Sequence, residues 1–128
     1  PCVILKDTGK GKLLWSAAPI EMSRPYMSRQ VFTRMLQSLI GEMVYTSNAP
    51  KFVEVIGWEK DGSDYFAVIN EQEESPVVSM HDIYIDVKKP DKKAVLLPEE
   101  TELQTEVLGD TLRIYLPKVE IFQMIRLV

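Results

Sequence analysis

The sequence contains one cysteine, Cys2, and one histidine, His81, among 128 residues. A lone cysteine excludes an internal disulfide and any Cys-x-x-Cys metal site. One histidine cannot build a typical zinc site without several carboxylates at suitable spacings, and the sequence shows no such spacing. No apolar run approaches the roughly 20 residues that span a bilayer. We therefore expect no metal site, no cofactor and no membrane-spanning helix.

The sequence also lacks an excess of positive charge. Its formal net charge is −4 and its isoelectric point is about 5.0. Such a chain has no general attraction to nucleic acid or to an anionic membrane. The lysines of residues 88–93 are interrupted by proline and aspartate, which is typical of a solvated loop. We expect neither nucleic acid nor membrane among the partners.

Catalytic motifs are missing as well. The Gly-x-Ser-x-Gly turn of a serine hydrolase is absent. His81 shares strand parity with Ile83 and Ile85, which predicts a structural histidine that faces the core or the edge of the core. Asp82 and Asp86 would lie about 14 Å apart on the wet face of one strand, which is too far for a glycosidase pair. We predict no catalytic residue in this chain.

The N-terminal third predicts a hairpin and one helix. Val3–Leu5 and Leu13–Trp15 are apolar runs that flank a glycine-containing turn. Ser23–Pro25 offers a helix start, residues 27–40 carry an apolar stripe at helical spacing, and Gly41 offers a stop. Because an apolar stripe must be covered, we expect the helix to pack on the β domain or in the groove of a partner chain.

The rest of the sequence predicts strands. Asp61-Gly62 between two apolar runs is a strong hairpin signal. The run before this turn, Phe52–Trp58, is apolar on both faces, which predicts a central strand covered on both sides. Two later segments alternate strictly, and Pro117 is expected to end the second of them. Their inward positions are Ile83, Ile85, Val87, Leu112, Ile114 and Leu116.

These signals together predict a mainly β fold. We expect an antiparallel β-sandwich or barrel of about seven strands, preceded by a β-hairpin and one amphipathic α-helix. The composition changes near Asn48. The predicted domains are therefore residues 1–48, holding the hairpin and helix, and residues 49–128, holding the sandwich.

Aromatic side chains are the remaining functional candidates. Trp58, Tyr65 and Tyr84 could stack on sugar rings if they were exposed on one sheet face. Aromatic residues of a sandwich also serve as core or rim residues, so the sequence leaves both interpretations open.

Several segments carry a resemblance to a known enzyme family. They are Gly9–Glu21, Arg29–Phe32, His81–Ile83, Leu97–Glu99 and Leu116–Phe122. Together they resemble the C-terminal region of the family 42 β-galactosidases and the glycoside hydrolases related to them. In that family a TIM barrel is followed by a flavodoxin-like trimerisation domain and then by a small all-β domain.

The resemblance implies a role as well as a fold. Residues 1–48 would be a remnant of the trimerisation domain, and residues 49–128 the terminal β domain. The two catalytic glutamates of the family lie on the barrel, which this sequence lacks. The resemblance implies a non-catalytic accessory and assembly module, whose partners are the remainder of a larger enzyme and other copies in a homo-oligomer. The alternatives are a carbohydrate-binding module and an autonomous enzyme that uses scattered carboxylates.

Overall fold

The computed structural model describes residues 2–22, 26–73 and 76–128, which form two compact units. The first unit, Pro1–Met43, contains strands β1 (Val3–Thr8) and β2 (Gly11–Ser16), a short 3-10 helix (Ile20–Met22) and helix α1 (Tyr26–Ile40). The predicted helix start at Ser23–Pro25 lies outside the described residues.

The hairpin and helix of the first unit confirm the sequence prediction. Strands β1 and β2 pair antiparallel, and Gly9 in their turn has a φ of 58°. Helix α1 ends where expected, because Gly41 takes a φ of 74° and its backbone N–H donates to the Gln37 carbonyl over 3.3 Å. Glycine adopts this left-handed conformation without the steric cost that a Cβ would add.

The second unit, Val44–Val128, is built from strands that all pair antiparallel. The described residues contain nine of them: β3 (Tyr45–Ser47), β4 (Val53–Lys60), β5 (Ser63–Asn70), β6 (Met80–Val87), β7 (Ala94–Leu97), β8 (Thr101–Glu102), β9 (Thr105–Leu108), β10 (Thr111–Val119) and β11 (Phe122–Leu127). One sheet has the order β3-β6-β10-β9 and the other has the order β4-β5-β11-β7-β8.

The predicted fold class is confirmed, with two differences in detail. The strand β3 was not predicted, and residues 101–108 form two short strands, β8 and β9, that belong to different sheets. These additions explain why the sandwich has more strands than the seven expected.

The core of the second unit lies between its two sheets. All six inward positions predicted from alternation are buried, and they form one face of this core. Two of them, Ile85 and Ile114, are register partners with no solvent exposure. The opposite sheet contributes Val53, Phe66, Val68, Ala94, Ile125 and Leu127.

The Asp61-Gly62 turn is the one that the sequence predicts. Asp61 and Gly62 have φ values of 53° and 76°, and the register pairs Lys60 with Ser63. A two-residue turn with positive φ at both positions has the twist of the flanking strands, so it joins β4 to β5 without splaying them.

The prediction for β4 is wrong. The strand lies at the edge of the five-stranded sheet, where its one strand partner among the described residues is β5. Phe52, Ile56 and Trp58 keep 41%, 42% and 37% of their surface exposed. The second apolar face of β4 therefore lies on the outside of the sandwich, where no layer formed by the described residues of the second unit covers it.

The prediction that Pro117 ends its strand is also wrong, because β10 continues to Val119. Proline cannot donate a backbone hydrogen bond, so within a sheet it needs a side without a partner strand. Tyr115 N–H donates to the Gln104 carbonyl over 2.9 Å, and beyond Gln104 the neighbouring chain crosses to the other sheet. The backbone nitrogen of Pro117 faces the same side as that of Tyr115, two residues farther along β10, and lies past the residues that pair with β9.

The side chains of Tyr45 in β3 and of Asn48, just after β3, form hydrogen bonds along one side of the sandwich. The Tyr45 hydroxyl donates to the Val55 carbonyl on β4 over 2.7 Å, which joins the edges of the two sheets. The Asn48 side chain donates to the Asp82 carbonyl over 2.9 Å and accepts from Tyr84 N–H over 2.7 Å. The Asn48 amide therefore continues the β3–β6 ladder beyond the end of β3, and both contacts protect strand edges.

Gly57 is required by this closure. A Cβ placed on Gly57 would lie 2.9 Å from Tyr45 Cε1 and 3.0 Å from Phe66 Cε1. We expect Gly57→Ala to lower the free energy of unfolding by about 1–3 kcal/mol, because the two packed rings must shift to admit a methyl group. Urea denaturation followed by circular dichroism measures this change.

Gly11→Ala is the matched control for this prediction. A Cβ on Gly11 would meet its nearest atom, the Thr8 carbonyl oxygen, at 3.9 Å, which is ordinary contact. An effect of Gly57→Ala no larger than that of Gly11→Ala would show that the two rings do not constrain this position.

Candidate interaction surface

The outer side of the five-stranded sheet presents an apolar surface. The register places these side chains on one side of the sheet, because their neighbours along each strand, such as Phe66 and Ile125, point into the core. We call this surface the sheet face; its apolar members are Ile56, Trp58, Tyr65, Ile69, Val95, Leu97, Phe122 and Met124.

The sheet face is apolar across four neighbouring strands. Phe122 on β11 is 52% exposed, and Ile56 and Trp58 on β4 are 42% and 37% exposed. Between them lies Ala67, which is only 7% exposed because its larger neighbours cover it. Isolated exposed apolar residues are common on proteins, but a contiguous group of this kind marks an interaction site.

Trp58 and Tyr65, two of the predicted aromatic candidates, come together on this surface. They are register partners on β4 and β5, and their ring centroids are 5.7 Å apart with an interplanar angle of 12°. Such near-parallel pairs add about 0.5–1.5 kcal/mol beyond the burial of their area. The pair is therefore both a structural element of the edge and an exposed aromatic surface.

Two ion pairs lie beside the sheet face. Arg126 Nη2 donates to Glu100 Oε1 over 2.6 Å, and Lys93 Nζ donates to Glu102 Oε1 over 2.9 Å. Arg126 Nε is buried and meets no acceptor among the described residues. These two pairs neutralise one another, and Glu54, the register partner of Ile69, places a further carboxylate on the same side of the sheet.

Tyr84, the third aromatic candidate, lies elsewhere. It projects from β6 on the outer side of the four-stranded sheet, and the Arg113 guanidinium carbon lies 3.8 Å from its ring centroid. Arg113 also donates to both Asp86 carboxylate oxygens over 2.8 Å each, and this pairing raises the pKa of Arg113 above its usual range. The three predicted carbohydrate contacts therefore do not form one site.

The outer side of the four-stranded sheet is polar, unlike the sheet face. Beside Arg113, the Tyr115 hydroxyl donates to Glu106 Oε2 over 2.6 Å. This hydrogen bond, followed by desolvation, raises the pKa of the Tyr115 phenol. These polar side chains bond mainly to one another, as expected for a sheet face in water.

The predicted position of His81 is wrong. The side chain is exposed, and its Nδ1 donates to the Pro117 carbonyl over 3.1 Å. Asp82 has a φ of 56°, which interrupts the strand between His81 and Ile83. Because strict alternation requires extended backbone throughout, the inward direction of Ile83 does not carry over to His81.

The described residues hold no group of three or more histidine, cysteine, aspartate or glutamate side chains that could bind a metal ion. None of the helices described is long and apolar enough to cross a membrane. An open depression of about 480 Å³ at the surface of the second unit is lined by Lys51, Phe52, Glu71, Gln72 and Glu73.

The hairpin of the first unit is also apolar and uncovered. Ile4 and Trp15 are register partners that are 44% and 50% exposed, and Leu13 beside them is 54% exposed. A two-stranded hairpin is marginally stable by itself in water. Its apolar face is therefore a second surface that further polypeptide would stabilise.

These features define the chain as an antiparallel β-sandwich with a hairpin–helix unit and two uncovered apolar surfaces. No family model matches the sequence, and no curated protein matches it. Among solved structures it is similar to α-L-fucosidase isoenzyme 2 from Paenibacillus thiaminolyticus, with a TM-score of 0.74 and 13% sequence identity. The similarity covers 96% of this chain and 21% of that chain.

At this sequence identity the similarity shows the fold alone. The chain spans about a fifth of the length of the fucosidase chain that it matches. Its fold is therefore one that occurs as a part of a glycoside hydrolase, and the coarse element of the sequence resemblance is supported. This similarity does not confirm the resemblance to the family 42 β-galactosidases.

Proposed function

We propose that the chain is a non-catalytic C-terminal accessory and assembly module of a glycoside hydrolase related to the family 42 β-galactosidases. It supports the catalytic domain of that enzyme and contributes to its homo-oligomer. The observation that carries the proposal is the sheet face, an apolar surface that the sandwich leaves open to solvent.

The energetic argument is one of burial. Apolar surface removed from water contributes about 25 cal/mol per Å², so covering Ile56, Trp58 and Phe122 would stabilise an assembly by several kcal/mol. The same surface left in water promotes non-specific association. The exposed apolar hairpin is a second surface that an assembly would cover. The fold shared with part of the fucosidase is the reason for assigning the module to a glycoside hydrolase.

The test compares the 128-residue chain with the longer enzyme that the proposal assigns to it. We expect the enzyme to hydrolyse aryl β-galactosides or a related glycoside, and the chain to release no aglycone from any of them. Deleting the 128 residues from the enzyme should lower its melting temperature and its oligomeric state, measured by calorimetry and sedimentation. Glycoside hydrolysis by the chain would contradict the proposal.

A carbohydrate-binding module is the second candidate, and the Trp58–Tyr65 pair favours it. Near-parallel rings on an exposed sheet can stack on the apolar face of a sugar. Titration of galactosides, fucosides and plant polysaccharides against tryptophan fluorescence tests this candidate, with Trp58→Ala as the variant that retains only Trp15. A saturable shift that disappears in Trp58→Ala would support it, and an unchanged spectrum with every sugar would remove it.

A further inference from the structure

We infer that strand β4 pairs antiparallel with β4 of a second copy of this chain, about a two-fold axis at Gly57. The five-stranded sheets of the two copies would then join into one continuous sheet. The inference rests on the homo-oligomer of the proposed function and names the element that forms it. Three observations carry it: the length of the open edge, the direction of its backbone groups, and the order of its side chains.

Strand β4 is the longest edge strand in the part of the chain that the structure describes. It has eight residues, whereas the other edge strands, β3, β8 and β9, have three, two and four. An unpaired edge is a template for another strand, and proteins commonly protect it by keeping it short or by placing a proline or a bulge there. Strand β4 contains no proline and no residue with positive φ. It is therefore the edge on which a further strand can be added.

The backbone of β4 directs hydrogen-bonding groups outward at every second residue. The two-residue turn makes Lys60 a hydrogen-bonded position, and such positions alternate along an antiparallel ladder. Val55, Gly57 and Glu59 therefore point their N–H and C=O groups away from β5. The Val55 carbonyl shows this direction, because it accepts from the Tyr45 hydroxyl and keeps a second lone pair. With an axis at Gly57, Val55 of one copy faces Glu59 of the other, and all three residues exchange backbone hydrogen bonds.

The side chains of β4 are complementary to one another in this register. Ile56 and Trp58, which are 42% and 37% exposed, lie on the same side of the sheet, and each faces the other across the axis. Glu54 faces Lys60 of the second copy, and the symmetry repeats both pairs. Apolar pairs and opposite charges at directly opposed positions stabilise antiparallel strands. Gly57 faces itself, so no side chain has to pack against its own copy.

The two charges identify a second copy as the occupant. Glu54 and Lys60 are exposed, and neither forms an ion pair with another described residue. They lie about 20 Å apart along one strand, so they cannot pair within one copy. An axis at Ile56 would place Lys60 opposite Phe52, and an axis at Trp58 would place it opposite Ile56. Of these neighbouring registers, the axis at Gly57 is the one that pairs both charges.

Sedimentation equilibrium of the 128-residue chain tests the inference. We expect an average mass that rises with concentration toward that of a dimer, with weak and reversible association because the interface is small. Glu54→Lys and Lys60→Glu should each raise the dissociation constant by about tenfold, because each creates two like-charge contacts across the axis. The double variant, with both substitutions, restores opposite charges and should return the dissociation constant to that of the natural chain.

Lys118→Glu is the matched control. It makes the same change in net charge at an exposed lysine of the other sheet, so the dissociation constant should not change. Circular dichroism establishes that each variant is folded. A monomer at every concentration up to about 1 mM would overturn the inference. A dimer that neither single substitution weakens, or a double variant that associates no better than the single ones, would overturn it as well.

Amide hydrogen exchange followed by nuclear magnetic resonance gives a second measurement that needs no substitution. The amides of Val55, Gly57 and Glu59 should exchange several-fold more slowly at concentrations that populate the dimer. The amides of Ile56 and Trp58 should change less, because they already donate to β5 in the monomer. Exchange at Val55, Gly57 and Glu59 that does not depend on concentration would place any dimer contact elsewhere and contradict the pairing.

Failure of the proposed function is recognised separately. A charge-sensitive dimer of the 128-residue chain, together with a longer protein that hydrolyses no glycoside, would retain the pairing of β4 and remove only the assigned chemistry. Conversely, an active glycosidase whose 128-residue module remains monomeric would retain the enzyme assignment and remove this interface.

Discussion

Replacing Ile114 with alanine is expected to lower the free energy of unfolding of the sandwich by about 4 kcal/mol, within the usual 2–5 kcal/mol for such core truncations. Ile114 has no solvent exposure. Its register partner on the neighbouring strand β6 is Ile85, which is equally buried. The truncation removes apolar contacts and leaves a cavity, because the paired strands cannot move together to fill it.

This loss is large beside the total stability of about 5–15 kcal/mol that is usual for a domain. Guanidinium denaturation, followed by far-ultraviolet circular dichroism, measures it as a shift of the midpoint. Leu108→Ala is the control, since a half-exposed side chain on the same sheet should change the stability by less than about 0.5 kcal/mol. Similar shifts in the two variants would show that the centre of the core does not lie at Ile114.

Asn70→Ala is expected to cost about 2–3 kcal/mol, since it removes a buried amide that bonds to two backbone carbonyls, of which only the Val78 carbonyl keeps another donor, Gln72 Nε2. Asn70 is 5% exposed, and its Nδ2 donates to the Val78 carbonyl over 3.0 Å and to the Glu120 carbonyl over 2.8 Å. Its Oδ1 accepts from Gln72 Nε2 over 2.9 Å. One side chain thus holds together the end of β5 and the loops that precede β6 and β11.

The chemistry of Asn70 is tested by comparing two substitutions. Asn70→Asp keeps the shape of the side chain but directs a carboxylate at two carbonyl oxygens. At pH 7 we expect Asn70→Asp to be at least as destabilising as Asn70→Ala, because an unpaired charge would be buried there. Denaturant unfolding at constant pH gives both values. An aspartate variant as stable as the natural protein would show that the amide donors contribute nothing.

Much of the fold follows from short-range patterns in the sequence. The alternation at residues 83–87 and 112–116 identified six buried side chains, because strand geometry alone turns successive side chains to opposite sides. The Asp61-Gly62 pair identified a hairpin, because few residue pairs adopt positive φ at two successive positions. The spacing of residues 27–40 identified helix α1 for the same local reason.

The candidate site followed from the sequence only in part. Trp58 and Tyr65 were identified as aromatic candidates, and the hairpin between them makes them neighbours. Tyr84 was grouped with them and belongs to the other sheet. His81 was placed toward the core and is exposed. The first difference depends on which sheet each strand joins, and the second depends on the positive φ of Asp82 within β6.

The sequence by itself determined most of the strands, the turn at Asp61-Gly62 and the inward positions of β6 and β10, because each of these depends on neighbours a few residues away. Only the tertiary structure decided that β4 lies at an edge and that its second apolar face is open. A strand with two apolar faces has the same sequence pattern whether its own domain or another domain covers the second face. The order of strands in the sheet distinguishes these two cases, and that order is set by contacts between segments distant in the sequence.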